Sequence, residues 1–121
     1  MPQQGDKVII SDLVLYAKIG WTAAEREAPQ RLALSLEVSL DLTMAAASRN
    51  LTDTVCYSSL SRRLREIAAG NDWVLIEELA EALCGSVLSE NSHISAAKLL
   101  LKKFSVPDAS WTGVEISRCK E

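Results

Sequence analysis

Hydrophobic and polar residues alternate from Arg31 to Leu42 (RLALSLEVSLDL), with Leu32, Leu34, Leu36, Val38, Leu40 and Leu42 on one parity and mostly polar residues on the other. Successive side chains of an extended chain point to opposite sides, so this segment reads as a strand with one buried face. Upstream, Lys7 to Ile19 (KVIISDLVLYAKI) is rich in Val, Ile and Leu, is interrupted at Ser11-Asp12 and ends at Gly20. It reads as the hairpin partner, although the link from Gly20 to Gln30 is longer than a tight turn.

After a small and polar connection, MAAASRNLTDTV, the period changes. Tyr57, Leu60, Leu64, Ile67 and Ala68 recur at helical spacing up to Gly70, and Asn71-Asp72 offers an N-cap to a second helix with Leu75, Ile76, Leu79, Leu83 and Val87 inward. Strand character returns at Ala97 to Phe104 and Gly113 to Arg118, separated by a turn with Pro107 and Asp108. The order ββααββ predicts an α+β fold, a four-stranded antiparallel sheet with two helices on one face. Residues 1–121 form a single domain in this reading, with 1–6 as a flexible tail. The outer strands of such a sheet keep unpaired backbone groups, so self-association through strand edges is expected from topology alone.

The chain has 121 residues, 48% hydrophobic and 24% charged, within the range of one ordinary domain. A net charge of -3 gives no electrostatic reason to approach nucleic acid or an anionic membrane, and neither is expected as a partner. No apolar run approaches the roughly 20 residues that span a bilayer, and MPQQGD lacks the basic-then-apolar start of a secretory signal, so a cytoplasmic location is expected. Cys56, Cys84 and Cys119 have no CxxC spacing and read as reduced, mostly buried thiols. His93 is the single histidine and lies in the polar stretch Ser89 to Ser95, so it reads as an exposed loop residue. A metal site built on two or three imidazoles cannot be assembled within one chain, and neither metal nor cofactor is expected.

Several side chains could carry chemistry, and each also has an ordinary explanation. Glu77 lies near the start of the second helix, where the dipole favours a carboxylate, but it could simply be solvated, as Glu78 is expected to be. Glu81, at i+4 from Glu77, shares its face. Tyr57 opens the first helix, where it could pack or exchange a proton. Lys102 and Lys103 fall on opposite faces of their strand: Lys103 continues the Ala97-Leu99-Leu101 series, and Lys102 shares parity with Lys98. Glu25 and Gln30 stand in the long link, where polar residues are ordinarily only solvated. Trp21, Trp73 and Trp111 border turns or element ends and read mostly as partly buried packing, with Trp73, four residues before Glu77, the one expected to touch a pocket there, while Cys56 has no neighbouring histidine and reads as packing.

Taken together, Ile19-Gly20, Glu25-Arg26, Gln30, Asp53-Thr54-Val55-Cys56-Tyr57, Leu75-Ile76-Glu77-Glu78-Leu79-Ala80-Glu81, Lys103, Gly113-Val114-Glu115-Ile116 and Arg118 resemble the dihydroneopterin aldolase family. The resemblance runs from about Lys7 to Arg118 with the landmarks in the family's order. It implies the tunnelling fold, in which the sheets of four subunits join into an oligomeric barrel and two rings stack into a homo-octamer. It places sites between subunits, with Glu25, Gln30, Leu75, Ile76, Glu77 and Lys103 facing Thr54, Val55 and Tyr57 of a neighbour. The substrate implied is a reduced pterin, 7,8-dihydroneopterin, cleaved by retro-aldol chemistry to 6-hydroxymethyl-7,8-dihydropterin and glycolaldehyde in folate biosynthesis, with possible 2′-epimerisation. Glu77 would receive the adjacent N–H donors of the pterin as a bidentate pair. Glu25 would line the substrate hydroxyls beside Lys103, Gln30 would support it, and Lys103 and Tyr57 would transfer protons. Two positions depart from the family pattern: Phe104 follows Lys103 where proline is usual, and Arg49-Asn50 stands where acidic residues are common. The competing readings are the sister dihydroneopterin triphosphate epimerase and a non-catalytic pterin-binding ring protein.

Overall fold

The computed structural model describes residues 5–120. Strand β1 (Lys7–Ile19) pairs antiparallel with β2 (Gln30–Ser39), from Lys7 opposite Ser39 to Ala17 opposite Gln30. The interruption predicted at Ser11-Asp12 is a β-bulge: Ile10 faces Leu36 and Leu13 faces Leu34, so two residues oppose Ser35 alone. Asp12 takes the left-handed conformation (φ 53°) that a short polar side chain tolerates, and its N–H donates to Ser35 Oγ at 3.1 Å. The extra residue resets the alternation, so that Val8 and Ile10 before it and Leu13, Leu15, Ala17 and Ile19 after it all lie on one side, packed into or against the core.

Helix α1 (Thr43–Ser48) forms within the segment read as an irregular connection, where Asp41 Oδ1 accepts the Thr43 N–H at 2.8 Å and Arg49 closes the turn with φ 61°. It buries no residue, which is why no hydrophobic period announced it. Helix α2 (Tyr57–Ala69) buries Leu60, Leu64 and Ala68. Strand β3 (Asp72–Trp73) runs parallel to the end of β1, and helix α3 (Ile76–Glu90) buries Leu79, Ala80, Leu83, Cys84 and Val87. Strands β4 (Ala96–Lys103) and β5 (Thr112–Cys119) complete a sheet in the order β3-β1-β2-β4-β5. Four antiparallel strands therefore stand as expected, and β3 makes the sheet five-stranded.

Residues 72–73 pair as a strand instead of capping a helix because Trp73 is anchored. Its ring is buried, and its Nε1–H donates to Ala68 O at 2.9 Å, holding this stretch flat against β1. The N-cap of α3 is Leu75, which is exposed and not inward as its spacing suggested. Strand β2 stops at Ser39, short of Leu42, because Asp6 gathers the following turn: its carbonyl accepts the Leu40 N–H at 3.3 Å and its Oδ2 the Leu42 N–H at 3.0 Å. Asp6 thus belongs to the fold and shortens the expected 1–6 tail, of which residues 1–4 lie outside the described residues.

Both long helices cover the same sheet face, and the core between the layers includes Leu15, Leu32, Leu34, Leu36, Leu64, Leu83, Leu99 and Leu101. The other face carries a row of alternating charge, with Lys7 Nζ 2.9 Å from Glu37, Lys98 opposite Glu37 in register, and Lys98 Nζ 3.9 Å from Glu115. Of the three thiols only Cys84 is buried, while Cys56 is half-buried and Cys119 exposed, against the expectation that most would be inside. His93 is an exposed loop residue whose Nε2 lies 2.7 Å from Thr52 O. Among the described residues no helix is long and apolar enough to cross a membrane.

Leu64 sits fully buried where α2 meets the sheet. Leu64→Ala should therefore lower unfolding free energy by about 2–5 kcal/mol through lost transfer energy and a residual cavity, read by urea denaturation at fixed protein concentration.

Candidate active site

The link between β1 and β2 is built around Gly20. The Gly20 N–H donates to Trp73 O at 3.0 Å, and a Cβ on Gly20 would stand 2.3 Å from Glu25 Cβ, so only glycine lets the link fold back this closely. Thr22 and Glu25 then bond to each other reciprocally, in the manner of a capping box, across the two residues that precede a short 3-10 turn (Glu25–Glu27). The Thr22 N–H and hydroxyl each donate to Glu25 Oε1 at 3.3 Å, and the Glu25 N–H donates to Thr22 Oγ1 at 3.2 Å. Arg26 secures the link by donating to the carbonyls of Gly20 (2.7 Å) and Trp21 (3.1 Å), and Gln30 Nε2 donates to Ile19 O at 2.5 Å.

The other oxygen of Glu25, Oε2, faces Lys103 Nζ at 3.7 Å. The Thr22 backbone N–H, and after it the Lys103 charge, hold the Glu25 carboxyl below its ordinary pKa against the opposing effect of desolvation. Lys103 reaches this position because β4 pairs with β2 in the register Leu36 to Leu99, Leu34 to Leu101 and Leu32 to Lys103, so Lys103 ends the buried row. Lys102 points to the opposite face, where its Nζ lies 2.8 Å from Asp12 Oδ1 and 5.0 Å from the centre of the Trp111 ring. Phe104 follows on that same face, with the Arg31 guanidinium 4.5 Å from its ring centre.

Pairing of β3 with the end of β1 carries the start of α3 to the same end of the sheet. Three glutamates there have different fates. Glu78 is not merely solvated, because its Oε1 accepts the Val74 N–H at 3.0 Å. Glu81, the second candidate from spacing, is engaged by Arg118 of β5. Glu77 is exposed in the first turn, and among the described residues it has no hydrogen-bond or ion-pair partner. It stands at the helix end where the unsatisfied backbone N–H groups lie, unlike Glu78 and Glu81, whose carboxylates are engaged within the chain.

Thr54, Val55 and Tyr57 lie at the other end of the domain. They precede or open α2 beside the Asn91–Ser95 loop, where the His93 ring meets Thr52 O. Thr54 and Val55 line a cavity of about 490 Å³ together with Arg62, Arg63, Glu90 and Asn91. Tyr57 projects 64% exposed. The length of α3, 15 residues or about 22 Å, separates this cluster from Glu77. One chain therefore brings Glu25, Gln30, Lys103 and Leu75-Ile76-Glu77 to one end and leaves Thr54, Val55 and Tyr57 at the other.

Cys56 is the N-cap of α2, and hydrogen bonding from Ser59 holds its thiol below the ordinary pKa. Trp73 is occupied with Ala68, while Trp21 is 74% exposed rather than partly buried. Thr22 and Arg26, which shape the site, were assigned no role from sequence. The Thr-x-x-Glu spacing of Thr22 and Glu25 is a capping signature that could have been read, but no hydrophobic run follows to draw attention to it.

Comparison with known proteins bears on the fold and the family. A family model described as dihydroneopterin aldolase matches residues 8–117. A dihydroneopterin aldolase of Streptococcus pyogenes is 34% identical over 116 residues, covering 93% of this chain and 98% of the relative. The crystal structure of FolB from Vibrio cholerae superposes with a TM-score of 0.91 at 28% identity, covering 95% of this chain and 98% of that one. The Escherichia coli dihydroneopterin aldolase in complex with neopterin gives 0.89 at 26% identity, covering 93% and 98%. With the sequence landmarks, the fold and the relatives in agreement over nearly the whole chain, the protein belongs to the dihydroneopterin aldolase family.

Proposed function

We propose that this member of the family cleaves 7,8-dihydroneopterin in folate biosynthesis at a site shared between two copies of the chain. The observation that carries the reading is the Glu25–Lys103 pair, 3.7 Å apart at the same end of the sheet as the unengaged Glu77. Glu77 receives the paired N–H donors of the pterin, with Leu75 and Ile76 against the ring. Glu25 and Lys103 flank the side-chain hydroxyls, with Gln30 in support. A neopterin complex in the Escherichia coli relative supports a pterin as ligand.

In the reaction the 2′-hydroxyl loses its proton, the C1′–C2′ bond breaks, and glycolaldehyde leaves with C2′ and C3′. The electrons left at C1′ pass into the protonated imine of the pterin, and reprotonation of C1′ gives 6-hydroxymethyl-7,8-dihydropterin. Lys103 takes the hydroxyl proton on its amine, directly or through water, Glu25 orients that amine, and the Tyr57 hydroxyl assists protonation at C1′. Re-addition of glycolaldehyde to the opposite face would epimerise the 2′ carbon.

Thr54, Val55 and Tyr57 must come from a neighbour, because α3 holds them too far from Glu77 within one chain. The free edges of β1 and β5 supply the means: β1 beyond its short pairing with β3, and β5 along its outer side, present unpaired backbone groups. Head-to-tail joining of these edges closes a ring, and two rings of four make the proposed octamer. Three unpaired thiols suit a reducing cytoplasm, where we place the reaction.

Three outcomes test this reading. Chelator-treated protein should release glycolaldehyde from 7,8-dihydroneopterin, and Lys103→Ala should slow that release at least about 100-fold with pterin affinity little changed, whereas Lys102→Ala does little. A crippled Lys102→Ala with an active Lys103→Ala would reverse the assignment. Calorimetric titration of Glu77→Gln with a pterin should show affinity weaker by about 2–5 kcal/mol, since an amide donor then faces an N–H, and unchanged affinity removes this contact. Inactive Lys103→Ala and Tyr57→Phe chains, unfolded and reassembled together in equal amounts, should recover about one quarter of wild-type activity, because random mixing gives that share of sites one intact half from each variant. A mixture as inactive as its components would place both residues in the same chain's site.

A further inference from the structure

We propose that Thr22 is a positioning residue for the reaction, dividing the two oxygens of Glu25 so that one is anchored within the link and the other is presented to substrate. The inference rests on the reading of Glu25 and Lys103 given above and adds a residue that does not itself touch the reacting atoms. Glu25 lies in a link with no buried residue in its 3-10 turn, and its side chain is 40% exposed, so packing alone does not select its rotamer. Thr22 does so by three contacts: its N–H and hydroxyl both donate to Oε1, and its hydroxyl oxygen accepts the Glu25 N–H. Gly20 beneath closes the remaining space, its absent Cβ being replaced by the Cβ, Cγ and Cδ of Glu25.

The consequence concerns Oε2. It stands 3.7 Å from Lys103 Nζ, longer than a direct charge-assisted hydrogen bond of about 2.7–2.9 Å. That spacing lets a substrate hydroxyl or a water stand in contact with both groups. A carboxylate without the Thr22 hydroxyl, held to the link by the Thr22 N–H alone, could instead turn onto Lys103, close a direct ion pair and occupy the gap. Arg26 holds the Gly20 and Trp21 carbonyls independently, so loss of the Thr22 hydroxyl leaves the link folded while removing one of the two donors to Oε1 and the acceptor of the Glu25 N–H, which loosens the carboxylate.

The test compares Thr22→Val, which is close in shape and lacks the hydroxyl, with Thr22→Ser, which retains it. Thr22 is exposed, and thermal unfolding and mass of each variant check that the assembly is intact. With 7,8-dihydroneopterin, Thr22→Val should lower kcat roughly 5- to 20-fold while KM changes less than about 2-fold, the pattern of a misplaced reacting group, and Thr22→Ser should restore kcat to within about 2-fold. In a Glu25→Gln background Thr22→Val should cause no further loss. Unchanged turnover in Thr22→Val, failure of serine to rescue, or an equal loss in the Glu25→Gln background would each overturn the inference while leaving the site reading intact. Full turnover in Glu25→Gln alone would overturn the site reading and the inference with it.

Discussion

The two-residue alternation of β2 and β4 is the constraint from which the remaining structure follows. Leu32, Leu34 and Leu36 lie opposite Lys103, Leu101 and Leu99, and these five leucines are buried. A slip of one residue would turn these side chains to the charged face, at a cost of about 1.5–3 kcal/mol for each leucine re-exposed. The register that protects the core therefore also selects which lysine faces Glu25. The bulge at Ser11-Asp12 extends the same constraint to β1, since without it the apolar residues on either side of it could not share a face.

Each of the adjacent lysines meets a carboxylate on its own side of the sheet: Lys103 faces Glu25 at 3.7 Å, and Lys102 faces Asp12 at 2.8 Å. The shorter pair belongs to the bulge and joins β4 to β1. The longer one leaves its two groups separate. Ion pairs of this exposure contribute about 0–1 kcal/mol to stability, so their value lies in orientation. Glu78 and Glu81 likewise have partners in Val74 and Arg118, which leaves Glu77 available where its helix begins.

Helix α3 sets the scale of the site. It spans the sheet from the Trp73 anchor to the Asn91 loop and separates Glu77 from the segment Thr54–Tyr57. The exposed apolar side chains Leu75 and Tyr57 stand at the two ends, each beside its half of the proposed constellation. The proposed shared site and the completion of strand edges would place the same demand on the chain, that of a neighbour.

The strands and two long helices were legible in the sequence because burial on one face imposes a period of two or 3.6 residues, and the lysine parity followed from the same rule. The family resemblance assembled residues scattered over nearly the whole chain. Tertiary structure decided what periodicity does not encode. Trp73 turned an expected cap into β3 because its indole found Ala68 O, and α1 formed without a buried face. The pairing of Glu81 with Arg118 joins positions 37 residues apart that meet only after α3 packs on β5. Thr22 and Gly20 acquired their bearing on Glu25 through the backward fold of a polar link. Local pattern records which face a residue occupies, whereas the partner on that face is chosen by contacts made once the layers close.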